Sequence, residues 1–522
     1  MINQAGFTAP HFKATQVGQT ILDAGGTASE AMVAAAAMVS VQYPHMNSIG
    51  GDGFWIISKV GQAPIAIDAC GAAASNIDVE SYRAEGEIPE SGGRAAITMA
   101  GTIAGWQKAL EFDNSGVSLQ TLLQPAIDAA EQGIEITQSL VDASVKTFER
   151  LSGELAFRHT FLNKGAVLKR GDKLINQPLA NTFKKLAALG LDSFYRGELA
   201  EQMAAELGAA NSPITLADFN GYQAKVMTPL TVKISKGYLY NLDAPTQGLA
   251  SLLTLAIYDK LAEQAKSECD HIHLLVEATK QAFIIRDEQI TDPDHLQQPL
   301  QALLSDEVIN DCAANISMTE ALPWPHVAKP GDTVWMGATD KHGTMVSFIQ
   351  SIYWEFGSGV VLPSSGIVWN SRGKSFSLDE NHHNVLKGGK KPFHTLNPAY
   401  AELNDGCRMV YGTMGGEGQP QTQACIFSRY FYQNTSLSKS VSKPRWLLGR
   451  TWGDDSNNLR LESQFYHLYG KTLSGLGHDV TSVEDNNELM GHAGAIVLDT
   501  MGKTTATSDP RSDGRSLLGE IK

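Results

Sequence analysis

The pattern of apolar and polar positions predicts a first helix over Pro10–Ala24, stopped by Gly25-Gly26. Thr27-Ala28-Ser29-Glu30 then places a Glu three residues after a Thr, the spacing of a capping box, and opens an Ala-rich helix over Ala31–Val41. Tyr43-Pro44-His45 breaks that helix. The short apolar runs Phe54–Ile57 and Ile65–Ile67 read as the two strands of a hairpin. Between break and hairpin lies Ser48-Ile49-Gly50-Gly51-Asp52-Gly53, a tight turn rather than a nucleotide loop, because no helix follows it. Helical periodicity returns from Gly101 to about Leu151 and again over residues 178–208. Val232–Ile234 and Tyr238–Tyr240 are expected as strands, and His271–Arg286 as an amphipathic helix closed by Asp292-Pro293. Beyond Thr333, strand signals alternate with Gly, Pro and Asn turns through Arg408–Tyr411. A helix over Gln421–Tyr432, a strand over Ala493–Leu498 and an exposed tail at Asp509–Gly514 complete the pattern. With no repeat, low-complexity tract or linker, the pattern predicts one α/β unit.

Composition narrows the partners. Hydrophobic residues make up 43% and charged residues 19% of the 522, the balance of a globular protein with a large core. A formal charge of −15 argues against a nucleic-acid partner, since phosphate binding rests on a basic surface. The five cysteines, Cys70, Cys269, Cys312, Cys407 and Cys425, are scattered without CxxC spacing, which suggests neither a disulfide framework nor a zinc site. Met1-Ile2-Asn3-Gln4-Ala5 has neither a basic nor an apolar region, and no apolar run reaches the ~18 residues of a membrane span. The expectation is a cytoplasmic protein with no membrane partner.

Chemistry concentrates around Lys329-Pro330-Gly331-Asp332-Thr333-Val334-Trp335-Met336-Gly337, a Pro-Gly loop running into a strand with Thr333 at the junction. A lone hydroxyl is a weak nucleophile and needs helpers. Candidates follow at Ser347–Tyr353, Phe356-Gly357-Ser358-Gly359 and Gly412-Thr413-Met414-Gly415-Gly416-Glu417-Gly418-Gln419-Pro420-Gln421, each a strand end punctuated by Gly. His45, His382 and His383 lack a carboxylate at ligand spacing, so no metal and no cofactor is expected.

Taken with Gly25–Ala31, Pro44–Phe54, Gly101–Gly105, Pro125–Ile127, Phe194–Glu198 and Thr215–Phe219, these blocks resemble the γ-glutamyltranspeptidase family of N-terminal nucleophile hydrolases nearly end to end. The resemblance implies a four-layer αββα sandwich with extra helices, made as one precursor that cuts itself between Asp332 and Thr333. A large chain of residues 1–332 and a small chain of residues 333–522 would then form one structural unit, with any further homo-oligomer left open. It implies that Thr333 becomes nucleophile and, through its new α-amine, base. It further implies that Gly415 and Gly416 donate to the oxyanion and that Ser351 supports the nucleophile.

The departures from the family pattern bear on substrate. Cys70 stands where the family has its carboxylate-gripping Arg, Tyr353 where it has an Asn, and His394-Thr395 where it has Ser-Ser. Asn370-Ser371-Arg372-Gly373-Lys374-Ser375 replaces an acidic stretch. A γ-glutamyl group would lose its ionic partners there, and buried charges without partners are costly. The pattern is closest to the oxamate amidohydrolase and glutaryl acylase-like subgroup, so the expected substrate is a small acyl amide whose carboxylate meets Arg372, Lys374 or His394, with Tyr353, Ser375, Thr395 and Cys70 around it. Two alternatives stand beside this reading: γ-glutamyl transfer or glutathione hydrolysis, and an unprocessed homologue with a binding or structural role, to which Trp335 in place of the usual His lends weight.

Overall fold

The computed structural model describes residues 2, 4–325, 332–449 and 457–520. The Lys329-Pro330-Gly331 loop lies outside the described residues, as does the side chain of Asp332.

Two antiparallel sheets form the centre. In the seven-stranded sheet the spatial order is Arg515–Glu520, Gln4–Ala9, Asp332–Thr339, Met345–Tyr353, Asp52–Ser58, Ile65–Ala69 and Lys225–Met227. The six-stranded sheet runs Thr504–Ser508, Ala493–Leu498, Arg408–Thr413, Ala399–Leu403, Gly237–Asn241 and Leu230–Ile234. Between them lies a core drawn from both: Phe54, Ile56, Trp335 and Ile349 meet Tyr400, Val410 and Ile496. Outside the larger sheet pack the helices Phe12–Asp23, Ala28–Gln42, Thr102–Phe112 and Leu119–Gln132; outside the smaller one pack Gly248–Leu261, Glu268–Gln289 and Gly418–Phe431. This is the expected αββα layering.

Local signals explain the elements that position the site. The capping box at Thr27 and Glu30 forms, with both reciprocal hydrogen bonds present, and the Ala-rich helix behind it is buried at every position from Ala28 to Gln42. Side chains that small let the helix lie flat on the sheet. The first hairpin forms from Asp52–Ser58 and Ile65–Ala69. Trp335 is a core residue between the sheets. Gly412 and Gly494 make room for its indole, since a Cβ at either would come within 2.2 Å and 2.6 Å of the ring, and Trp335 Nε1 donates to Ser347 Oγ at 3.0 Å.

Two sequence expectations fail. The His271–Arg286 segment is helical, over Glu268–Gln289, yet it is buried on most sides rather than amphipathic. It is enclosed by the neighbouring helices and by residues 317–322, which bond its polar side chains. Asp509–Gly514 is not an exposed tail: Asp509 and Arg511 are buried and ion-paired with Arg445, Glu462 and each other. The charges suggested solvent, but they neutralise one another inside and lead into the edge strand Arg515–Glu520, which pairs with Gln4–Ala9.

Candidate active site

Thr333 is buried near the start of its strand. Across from it, the register with Met345–Tyr353 shifts between the pairs Val334–Gln350 and Asp332–Tyr353, so Ser351 and Ile352 both oppose Thr333 in a bulge. A bulge bends the strand and re-aims side chains, and here it leaves Tyr353 at φ 83°. On the far side, Ser351 pairs directly with Asp52. Thr333, Ser351 and Asp52 thus occupy one end of three adjacent strands.

Over this row lies the Asn370–Arg372 turn. It is stitched down by Asn370 N to Gly50 O at 3.1 Å, Ser371 N to Ile352 O at 3.1 Å and Arg372 N to Asn370 Oδ1 at 3.0 Å. The Arg372 side chain is 1% exposed, and its guanidinium sits 4.3 Å from the centre of the Tyr353 ring. Its Nη1 donates to Thr395 Oγ1 at 3.3 Å and its Nη2 makes a long contact of 3.5 Å with Ser351 Oγ. Among the described residues Nε has no hydrogen-bond acceptor, and the Asp52 carboxylate is 3.7 Å away. A buried guanidinium so weakly engaged can donate two parallel hydrogen bonds to a carboxylate.

Gly415 and Gly416 follow the strand Arg408–Thr413 and open the helix Gly418–Phe431 with φ of 112° and 48°, a left-handed turn that glycine makes without strain. Their carbonyls are engaged: Gly415 O by Gly418 N at 2.7 Å, and Gly416 O by Gln247 Nε2 at 2.7 Å. Their N–H groups donate to no group among the described residues. Two buried, unsatisfied donors on successive glycines are what a developing oxyanion requires.

Of the other expected substrate residues, Thr395 and Tyr353 touch Arg372 directly. His394 is buried and bonded through Nε2 to Asp52 Oδ2 at 2.9 Å; burial, with Arg372 and Lys391 nearby, pushes its pKa well below the usual value, so the ring is neutral. Lys374 is turned elsewhere, its Nζ bonded to Ile88 O at 2.7 Å and Glu87 at 3.2 Å. Ser375 Oγ fastens two carbonyls, Phe393 O at 2.8 Å and Arg372 O at 3.0 Å. Cys70 belongs to the core between the sheets, and burial pushes its thiol well up, away from the reactive thiolate.

Sequence reasoning missed Asp52, Gln247, Arg286 and Glu417. Gln247 ties Gly416 to the carbonyl of Thr395 at 2.6 Å and accepts from Arg286 at 3.2 Å, and Arg286 pairs with Glu417 at 3.3 Å. Asp52 and Glu417 left a sequence signal, each an acid inside a Gly cluster. Among the described residues one group, His273, Glu277 and His478, could gather round an ion. There Lys280 already supplies the cation, 2.7 Å from Glu277.

The γ-glutamyltranspeptidase family model matches residues 14–518. The chain belongs to the γ-glutamyltranspeptidase family. Within it, the chain is 50% identical over 510 residues to the oxamate amidohydrolase proenzyme of Klebsiella pneumoniae, covering 97% of both chains. It is 35% identical to a glutathione hydrolase-like proenzyme of Bacillus subtilis, covering 98% of this chain and 97% of that one. Among solved structures it is similar to a cephalosporin acylase from Bacillus halodurans, with a TM-score of 0.90, 30% identity, and coverage of 99% and 96%. No helix among the described residues is long and apolar enough to cross a membrane.

Proposed function

We propose that this member of the γ-glutamyltranspeptidase family is a self-processing N-terminal threonine amidohydrolase whose substrate is a small acyl amide bearing a carboxylate, of the oxamate or glutaryl type. The carrying observation is the Arg372 guanidinium, buried beside the strand of Thr333 with no carboxylate hydrogen-bonded to it among the described residues. The relatives named as an oxamate amidohydrolase and a cephalosporin acylase support the same direction.

In this reading the Thr333 hydroxyl first attacks the carbonyl of Asp332. The peptide bond becomes an ester, which water opens, leaving a large chain of residues 1–332 and a small chain of residues 333–522. The freed α-amine has a reference pKa of about 7.7–8.0, so near neutral pH part of it is unprotonated and takes the hydroxyl proton during attack on substrate. The tetrahedral oxyanion forms against the N–H groups of Gly415 and Gly416. The amine leaves with a proton, and water releases the acid from the acyl-enzyme. Ser351, which accepts from Tyr353 N at 2.8 Å, holds the bulge opposite the nucleophile. Arg372 sets the carboxylate, with Thr395 and the Tyr353 ring on either side. Five unpaired cysteines support a reducing, cytoplasmic setting.

A denaturing gel tests the first half: wild type gives two bands and Thr333→Ala one full-length band with no amidase activity. A single band from wild type overturns the reading in favour of an unprocessed homologue. Parallel assays with oxamate, a glutaryl amide and γ-glutamyl-p-nitroanilide test the second half, and preferred turnover of the last overturns the substrate assignment.

A further inference from the structure

Asp52 takes no part in the steps above, yet it is fully buried beside the guanidinium that carries them. Its Oδ1 accepts from Gly71 N at 3.1 Å and its Oδ2 from His394 Nε2 at 2.9 Å. The His394 tautomer follows from the ring's other side, where Leu396 N donates to Nδ1 at 3.3 Å and leaves the proton on Nε2. Arg372 Nε is 3.7 Å from the same Oδ2, close enough for charge attraction and too far for a hydrogen bond. Asp52 therefore balances the guanidinium without occupying its donors.

We infer that Asp52 is a specificity-determining positioning residue: its carboxylate balances Arg372 in the free enzyme, and it takes up one proton from solvent when a substrate carboxylate moves onto that guanidinium. The inference rests on the proposed substrate class. Its physical ground is charge balance. The other cation nearby, Lys391, is already matched by Asp68 at 2.5 Å. A substrate carboxylate entering beside an ionised Asp52 would leave two buried anions sharing one free cation, and like charges in a buried site force one to protonate. Burial pushes the Asp52 carboxyl up to about 7, with Arg372 opposing it, so the proton is available near neutral pH.

Among the described residues the groups facing Asp52 are Arg372, His394, Asp68, Lys391, Cys70, Tyr195 and Tyr222. Burial pushes His394 well below its usual range and Cys70, Tyr195 and Tyr222 well above theirs, so these four keep one protonation state near neutral pH. Tyr353 packs on Arg372 from the other side. The α-amine proposed for Thr333 titrates in the same range, and the test separates it from Asp52.

The test uses the processed enzyme. Oxalate, the acid that oxamate hydrolysis would release, is titrated calorimetrically at about pH 8 in two buffers of different ionisation enthalpy, and KM for oxamate is followed from about pH 6 to 9. Wild type is expected to take up close to one proton per oxalate, with KM rising up to about tenfold per pH unit once Asp52 is ionised. Asp52→Asn is expected to abolish the uptake and flatten that rise while kcat keeps the pH dependence of the α-amine. Uptake that survives in Asp52→Asn assigns the proton to the α-amine and overturns the inference. Should that variant not self-process, the wild type decides alone: no uptake, or a KM for oxamate independent of pH, overturns it. Those results leave the substrate reading standing. Absence of oxamate and glutaryl-amide turnover at every pH overturns that reading and this inference together.

Discussion

Burying a guanidinium costs several kcal/mol unless something repays it. At Arg372 the described residues supply a ring face, one hydroxyl hydrogen bond, a long contact to a second hydroxyl and a carboxylate at 3.7 Å. The remaining donors are those proposed to hold the substrate carboxylate. Arg372→Ala is expected to raise KM for oxamate by about 10–100-fold, since a hydrogen bond to a charged group contributes about 1.5–3 kcal/mol. Two bands should still form on a gel. Arg372→Lys should recover little of the loss, because a point charge cannot reproduce the two-pronged contact. An unchanged KM in Arg372→Ala would remove the residue from the site. Arg372 was legible in the sequence as a base where the family pattern has an acidic stretch. Its neighbour Lys374 looked equally suitable, and only the direction of the turn separates them, sending Lys374 to Glu87 and Ile88. Asp52 was read as part of a turn, because its pairing with Ser351 joins residues about 300 positions apart.

At the scale of the element, the site depends on a glycine pair that admits no side chain. A Cβ on Gly51 would lie 2.1 Å from Ser351 O, and one on Gly50 2.3 Å from Val368 O. Both obstacles are backbone and cannot rotate away. Gly51 O also receives the N–H groups of Gly101 and Thr102, which anchors the helix Thr102–Phe112 at the same point. Gly51→Ala is expected to cost about 1–3 kcal/mol by overpacking and to slow or abolish self-processing by pushing Asp52 off its register with Ser351. Chemical denaturation and a time course of cleavage check both, with Gly153→Ala, where a Cβ meets nothing within 4 Å, as the control. Helices with strong caps, such as the one opened by Thr27, were legible because the signal is local. The bulge opposite Thr333 was not, since it is a mismatch between two strands and neither sequence carries it alone.

For the whole molecule, the last segment is a clasp. Asp509 is buried between Arg445 and Arg511, accepts from Ala493 N at 2.8 Å, and leads into the strand that pairs with Gln4–Ala9. Burial alone would raise its carboxyl pKa, but the two guanidinium groups hold it below the usual range. A carboxyl depressed in the folded state contributes stability that is present above its unfolded pKa of about 3.9 and lost as pH falls through the folded value. Asp509→Asn leaves two buried cations short of a counter-charge and is expected to cost about 3–5 kcal/mol at neutral pH. Below about pH 4 the deficit against wild type should shrink, as urea unfolding across pH will read. A deficit that stays constant with pH would show that the clasp is held by packing rather than charge.

By itself the sequence determined the layered α/β class, the caps and breaks of its helices, the threonine proposed as nucleophile and the glycine turn proposed for the oxyanion. Each of these is written in neighbouring residues or in a pattern shared across the family. Tertiary structure alone decided that Thr333, Ser351 and Asp52 stand in one row, that Arg372 and not Lys374 enters the site, and that the acidic and basic residues near the C-terminus lie inside. Those outcomes depend on strand register and on charges cancelling across long separations, Asp509 with Arg445 and Arg511 with Glu462, which no single stretch of sequence contains.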